Sequence, residues 1–162
     1  MGVSNVMAFS LTMFVGLATF GFLLLAITNV VSVVEHAESS RQDLYINQLN
    51  SRIYITSTSV SGTYLYVFVT NNGSVPLWEF NHFAVLVQYC ANVSGKPVLS
   101  LSLYNFSSNP VAYQWTSLDG LLEPGGIGKL EIVLPYPPYQ GTAGIVILSS
   151  NYGSSAVWRG IL

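Results

Sequence analysis

Charge is what this chain has least of. Only 5 of its 162 residues are Lys or Arg and 7 are Asp or Glu. The charged fraction of 7% lies far below the roughly 25% of an ordinary soluble domain. No Asp, Glu, Lys or Arg precedes Glu35, so a uniformly water-exposed surface is excluded. A net charge of −2 with five scattered basic residues also excludes a phosphate-tracking, nucleic-acid-binding surface. Cysteine is reduced to Cys90, which rules out an intrachain disulfide framework and a cysteine-rich zinc site. Histidine is limited to His36 and His82, and aspartate to Asp43 and Asp119. No zincin, nucleophile-elbow, P-loop or dinucleotide fingerprint occurs. The expectation is a chain without catalytic residues, metal or cofactor.

Two features imitate chemistry. Glu123-Pro124-Gly125-Gly126-Ile127-Gly128 has the glycine density of a phosphate loop but lacks the Gly-Lys-Ser/Thr ending. A strand-like run follows it instead of a helix, so it reads as a turn between strands. Cys90 and His82 suggest a nucleophile and base, yet eight residues along one strand separate them by about 26 Å. The reading is a half-exposed strand histidine and a small hydrophobe. The 21 Phe, Trp and Tyr residues fall mostly within strand-like runs, where core and sheet-face packing is the default over a sugar- or base-stacking site.

What the chain does have begins with an apolar run. Val6 to Val34 is 29 residues without a charge. As a helix it would be about 44 Å long, more than the ~30 Å hydrocarbon core of a bilayer. The segment before it, Met1–Asn5, carries no basic residue, and the run far exceeds a signal-peptide core. Glu35 is also a poor residue three places before a cleavage point. A retained anchor is therefore expected over a removed signal. Val6 stands where a myristoylation signal needs Ser or Thr. The expected organisation is a transmembrane helix over 1–34, a stalk or linker over 35–50, and a β-domain over 51–162.

From Arg52 onward the periodicity falls to two. Strand-like runs are Ile53–Thr56, Thr63–Thr70, His82–Cys90, Val98–Tyr104, Val111–Trp115, Ile127–Leu134, Gly144–Ser150 and Ser155–Arg159. Turn residues separate them, among them Ser61-Gly62, Asn71-Asn72-Gly73, Ser94-Gly95-Lys96-Pro97, Asn109-Pro110 and Pro135 to Gly141. Seven or eight short strands in this length predict an all-β, immunoglobulin-like sandwich preceded by one helix. No internal repeat is present.

Charges flanking the apolar run nearly cancel, so they do not orient it. Three acceptor tripeptides, at Asn72, Asn92 and Asn105, all lie beyond the run. They are candidate N-glycosylation sites and favour an exterior β-domain.

These residues carry a family resemblance. An uncharged N-terminal helix of pilin type leads into a β-domain with Val69–Phe80 (Asn71-Asn72-Gly73, then Pro76-Leu77) and Leu122–Pro135 (Glu123-Pro124-Gly125-Gly126). The chain resembles the archaellin and archaeal type IV pilin-like superfamily. Within it, the chain is most similar to the small archaellum accessory proteins, the F subunit first and the G subunit next. A pilin that is processed starts with a basic segment and a Lys/Arg-Gly cleavage site, and neither is present; this suits a permanently anchored accessory protein. The resemblance implies a helix held in the cell membrane and a domain outside it, beneath the surface layer. It further implies binding to surface-layer protein, contact with other accessory subunits, and action as a stator for the rotating filament. The alternatives are a minor pilin or filament subunit assembling through its helix, and a tethered solute-binding sandwich with an aromatic pocket.

One surface is expected to matter. In the run His82–Cys90, Phe83, Val85, Val87 and Tyr89 share one side, which is uniformly apolar and assigned to the core. His82, Ala84, Leu86 and Gln88 share the other with Cys90. That mixed face is the candidate partner interface, with Leu86 meeting its own copy in a homodimer.

Overall fold

The computed structural model describes residues Gly2–Leu162. A single helix, α1, runs unbroken over Gly2–Asn50, so the polar stretch after Val34 is helical. It buries no residue, and it is the one helix among the described residues long and apolar enough to cross a membrane. The chain divides into two compact units between Leu44 and Tyr45. The second is the β-domain with the last helical residues.

Eight strands follow: β1 (Ile53–Ser61), β2 (Tyr64–Asn71), β3 (Ala84–Val93), β4 (Lys96–Phe106), β5 (Gln114–Ser117), β6 (Ile127–Val133), β7 (Ala143–Ser149) and β8 (Ser155–Ile161). Two antiparallel four-stranded sheets result, ordered β1-β2-β6-β5 and β4-β3-β7-β8. A short parallel pairing of β4 with β5, Asn105 opposite Gln114 and Phe106 opposite Trp115, joins them. The outcome is the expected sandwich, stitched along one side into a near-barrel.

The core lies between the sheets because the strands alternate. From β2 it takes Leu65, Val67 and Val69, and from β3 Val85, Val87 and Tyr89. Trp115, Ile132, Val146 and Leu148 complete its centre. The inward set assigned to Phe83, Val85, Val87 and Tyr89 is buried as expected. β1 departs from simple alternation: a bulge between Ile55 and Ser57 shifts its register against β2. The extra residue swaps the faces, so Thr58 and Val60 continue the inward row that Ile53 and Ile55 began.

Three expectations need correction. His82 is not a strand residue; it ends a 3-10 turn, Phe80–His82, before β3. Both Phe80 and Phe83 are buried, their rings 5.2 Å apart, and a spacing of three brings both inward in a turn with three residues per cycle. Val111–Tyr113 is not strand either. Tyr113 has φ 67°, and Gln114 N–H donates to Val111 O at 2.9 Å, so this is a turn before β5. Finally, the β3–β4 turn is narrower than read. Ser94 and Gly95, with φ 53° and 83°, form the two-residue hairpin that positive φ at both positions demands. Lys96 and Pro97 belong to β4, where Pro97 is opposite Asn92. At that end β4 is an edge strand, so the missing proline N–H costs no ladder bond.

The two segments that carry the family resemblance pack against each other. Leu77 and Leu122 form a paired bridge, with N–H to O distances of 3.0 and 2.8 Å. Asn71 lies at its centre, fully buried. Its Nδ2 donates to Val75 O (2.8 Å) and Leu122 O (3.1 Å), and its Oδ1 accepts from Gly73 N–H (3.0 Å). The same turn holds the end of α1: Ser74 N–H donates to Asn50 O at 2.9 Å and Asn72 N–H to Arg52 O at 2.8 Å. Any side chain at position 73 would collide with the Asn50 carbonyl. The Glu123–Gly126 segment is a turn, with Gly125 at φ 75° and no helix behind it.

Candidate partner interface

The outward face of the β4-β3-β7-β8 sheet is where apolar side chains collect without a cover. Register places Leu103 beside Leu86, Leu86 beside Ile147, and Ile147 beside Val157. One apolar row therefore crosses all four strands. The next row runs Leu101, Gln88, Ile145 and Arg159, placing an amide and one cation among apolar neighbours. Leu99, Leu101 and Leu103 are 65%, 59% and 56% exposed.

β4 inverts the ordinary pattern. Its leucines face outward, while Ser100 and Ser102 share the side of buried Tyr104. The reason is packing: Tyr104 and Tyr89 already fill the space between the sheets, so only small side chains fit beside them. Contiguous apolar surface left in water is unfavourable and marks a contact site. Of the expected interface residues, Ala84, Leu86 and Gln88 stand on this face, and Leu86 is in the continuous row. His82 does not; it is exposed on the 3-10 turn, with Nδ1 3.7 Å from Glu79 Oε2. Sequence reasoning missed the β4 leucines, Ile145, Ile147 and Val157. The strict Leu-Ser alternation from Leu99 to Leu103 was the available signal, because Tyr104 falls on the serine parity.

The apolar hollow among Phe80, Phe83, Leu122 and Leu148 has about 10 Å³ of free space, room for no more than a water. Among the described residues no group of three or more His, Cys, Asp or Glu side chains converges on a metal-sized site. Tyr89 donates its hydroxyl to Tyr136 O at 3.0 Å, while burial pushes its ionisation up. Tyr104 is pushed up further, by burial first and then by Tyr89 and Tyr113; its buried hydroxyl has no hydrogen-bond partner among the described residues. On the opposite sheet face Lys129 Nζ lies 3.9 Å from the centre of the Tyr66 ring, a cation–π pair on the surface. The candidate acceptor Asn72 is exposed in the turn beside α1, Asn105 is exposed on β4, and Asn92 is half-buried on β3.

No curated protein matches the sequence. The fold is shared with solved structures at low identity. The archaellum periplasmic stator protein FlaG from Sulfolobus acidocaldarius is 16% identical, with a TM-score of 0.55 over 68% of this chain and 99% of its own. The stator complex of FlaF and FlaG from the same organism gives 15% identity and a TM-score of 0.55, over 67% of this chain and 88% of that one. The archaeal flagellum of Methanospirillum hungatei strain JF1 is 16% identical with a TM-score of 0.56, and the likeness covers 100% of this chain and 93% of that one. A family model described as conserved flagellar protein F, immunoglobulin-like domain, matches residues 49–160, from before β1 into β8. The chain therefore belongs to the conserved flagellar protein F family, whose immunoglobulin-like domain it carries.

Proposed function

We propose that this protein is a membrane-anchored structural component of the archaeal motility machinery and works as a stator. Residues 1–34 span the cell membrane once, residues 35–50 form a helical stalk, and residues 51–162 stand outside the cell beneath the surface layer. There the domain binds surface-layer protein and resists the torque of the rotating filament. The observation that carries this reading is the family match over the whole β-domain, joined to an uncovered apolar row across one sheet. A stator acts by holding, so it needs a rigid domain and a contact face rather than reactive side chains. The solved complex of FlaF with FlaG supports a second accessory subunit as a partner. The row through Leu86 supports a homodimer in which Leu86 meets its copy across a two-fold axis.

A filament subunit is the second reading. It is favoured by the likeness to the Methanospirillum flagellum, which extends through the helix as well as the domain. The charge-free run Val6–Val34 of that helix serves equally in a bilayer or in a bundle of its own kind. One experiment separates the two. The β-domain from Glu35 onward, immobilised and exposed to solubilised cell envelope, should retain surface-layer protein. Retention of pilin-type subunits instead, or long polymers formed by the full chain, would replace the stator with the filament.

A further inference from the structure

We propose that Asn72 carries an N-linked glycan at the point where the helix enters the β-domain. This rests on the exterior placement of the domain argued above.

The three acceptor tripeptides are equal in sequence and unequal in structure. Asn92 is half-buried, and its Oδ1 accepts the Gly95 N–H at 2.9 Å; a transferase would have to break the hairpin turn to reach it. Asn105 is exposed but fixed in β4, its N–H donating to Tyr113 O at 3.2 Å. The hydroxyl of Ser107, the third residue of that tripeptide, already donates to Asn109 O at 3.2 Å. Asn72-Gly73-Ser74 lies off the strand ladders, between β2 and the 3-10 turn. Asn72 and Ser74 are both exposed, and among the described residues neither side chain makes a hydrogen bond. Only their backbones are held, on Arg52 O and Asn50 O. The turn is thus pinned with both recognition groups turned outward, and Gly73 adds no side chain to crowd them. An open hollow of about 240 Å³ beside them, lined by Leu49, Asn50 and Arg52 with the tripeptide itself, leaves room for the first sugar.

The co-reactant is an oligosaccharide linked through phosphate to a lipid. The Nδ2 of Asn72 forms a bond to the anomeric carbon, and the carbon–oxygen bond to phosphate breaks. The lipid phosphate leaves with that electron pair, and a base on the transferase takes one amide proton. The product places a cluster of hydroxyls beside Leu49, on a chain with few charges to keep its surface hydrated.

The test uses the full chain purified from the membranes of its own cells, compared by intact mass with Asn72→Gln and with Ser74→Ala, which keeps Asn72 but removes the acceptor pattern. The expected result is a mass excess over the 17.6 kDa sequence that disappears in both variants, with unchanged thermal unfolding. A wild-type chain without excess mass overturns the proposal, as does an excess that persists in Asn72→Gln because another asparagine carries it. Protease added to intact cells reads the placement separately. A domain that is cut yet unglycosylated removes the glycan alone, and a protected, unmodified domain removes both the glycan and the exterior placement.

Discussion

Adjacent asparagines should respond in opposite ways to the same substitution. Asn71 is fully buried and makes three side-chain hydrogen bonds, to Val75 O, Leu122 O and Gly73 N–H. Asn72 is exposed. In Asn71→Ala, Leu122 O keeps its partner, the Leu77 N–H, but Gly73 N–H and Val75 O lose theirs. A buried group left unpaired costs about 1–3 kcal/mol. Both groups sit in part-buried surroundings where water can partly replace the amide, so the expected loss is about 3 kcal/mol. For a domain of this size that lowers the melting temperature by roughly 12 °C. Asn72→Ala should change stability by no more than about 0.5 kcal/mol. Asn71→Asp sharpens the argument. It keeps the shape and the acceptor but turns a carboxylate oxygen toward two carbonyl oxygens, and protonation restores a donor. Its loss should therefore be large at neutral pH and smaller in acid. Urea unfolding of the fragment from Glu35 onward, followed by circular dichroism, measures all three. An Asn71→Ala variant within about 1 kcal/mol of the parent, with the urea dependence unchanged, would refute the clamp.

Removing residues 1–34 should convert a detergent-requiring protein into a soluble, cooperatively unfolding β-domain, because the sandwich holds its own core; a fragment without β-sheet signal would contradict this. Burial raises the ionisation of Tyr104 and Tyr89 above the ordinary 10, so the folded state keeps protons that the unfolded chain gives up. The stability they contribute is full below about pH 10 and is lost as pH rises beyond it. Tyr104→Phe, which removes a buried hydroxyl without a partner, should raise stability by about 1 kcal/mol and move alkaline unfolding upward in a thermal series from neutral to strongly alkaline pH. Leu86→Lys should reduce the sedimenting mass of the isolated domain from dimer to monomer while leaving its β signal intact, and an unchanged mass would remove this face as the contact. His82→Ala and Cys90→Ala should leave motility within the range set by any loss of stability, read by swimming assays beside melting curves.

Sequence by itself determined the coarse plan of this protein. The span from Val6 to Val34 has no charge to solvate, so a long apolar helix follows from composition alone. The inward row Val85, Val87, Tyr89 was legible because a strand places alternate residues on opposite faces, and only one parity was wholly apolar. The turn at Ser94-Gly95 was legible because few residues tolerate positive φ. Tertiary structure decided what parity could not. His82 left its strand because Phe80 and Phe83 both had to reach the core, and that competition is visible only when Trp115 stands between the sheets, 6.4 Å from the Phe80 ring. β4 turned its leucines to solvent because Tyr104 and Tyr89 already occupied the interior, so Leu99, Leu101 and Leu103 became surface against their own hydrophobicity. Asn71 and Asn72 are identical letters in a turn-like stretch. Only the pairing of Leu77 with Leu122, forty-five residues apart in the chain, buries the first and leaves the second free, because local sequence carries no record of which carbonyls a distant segment will bring within reach.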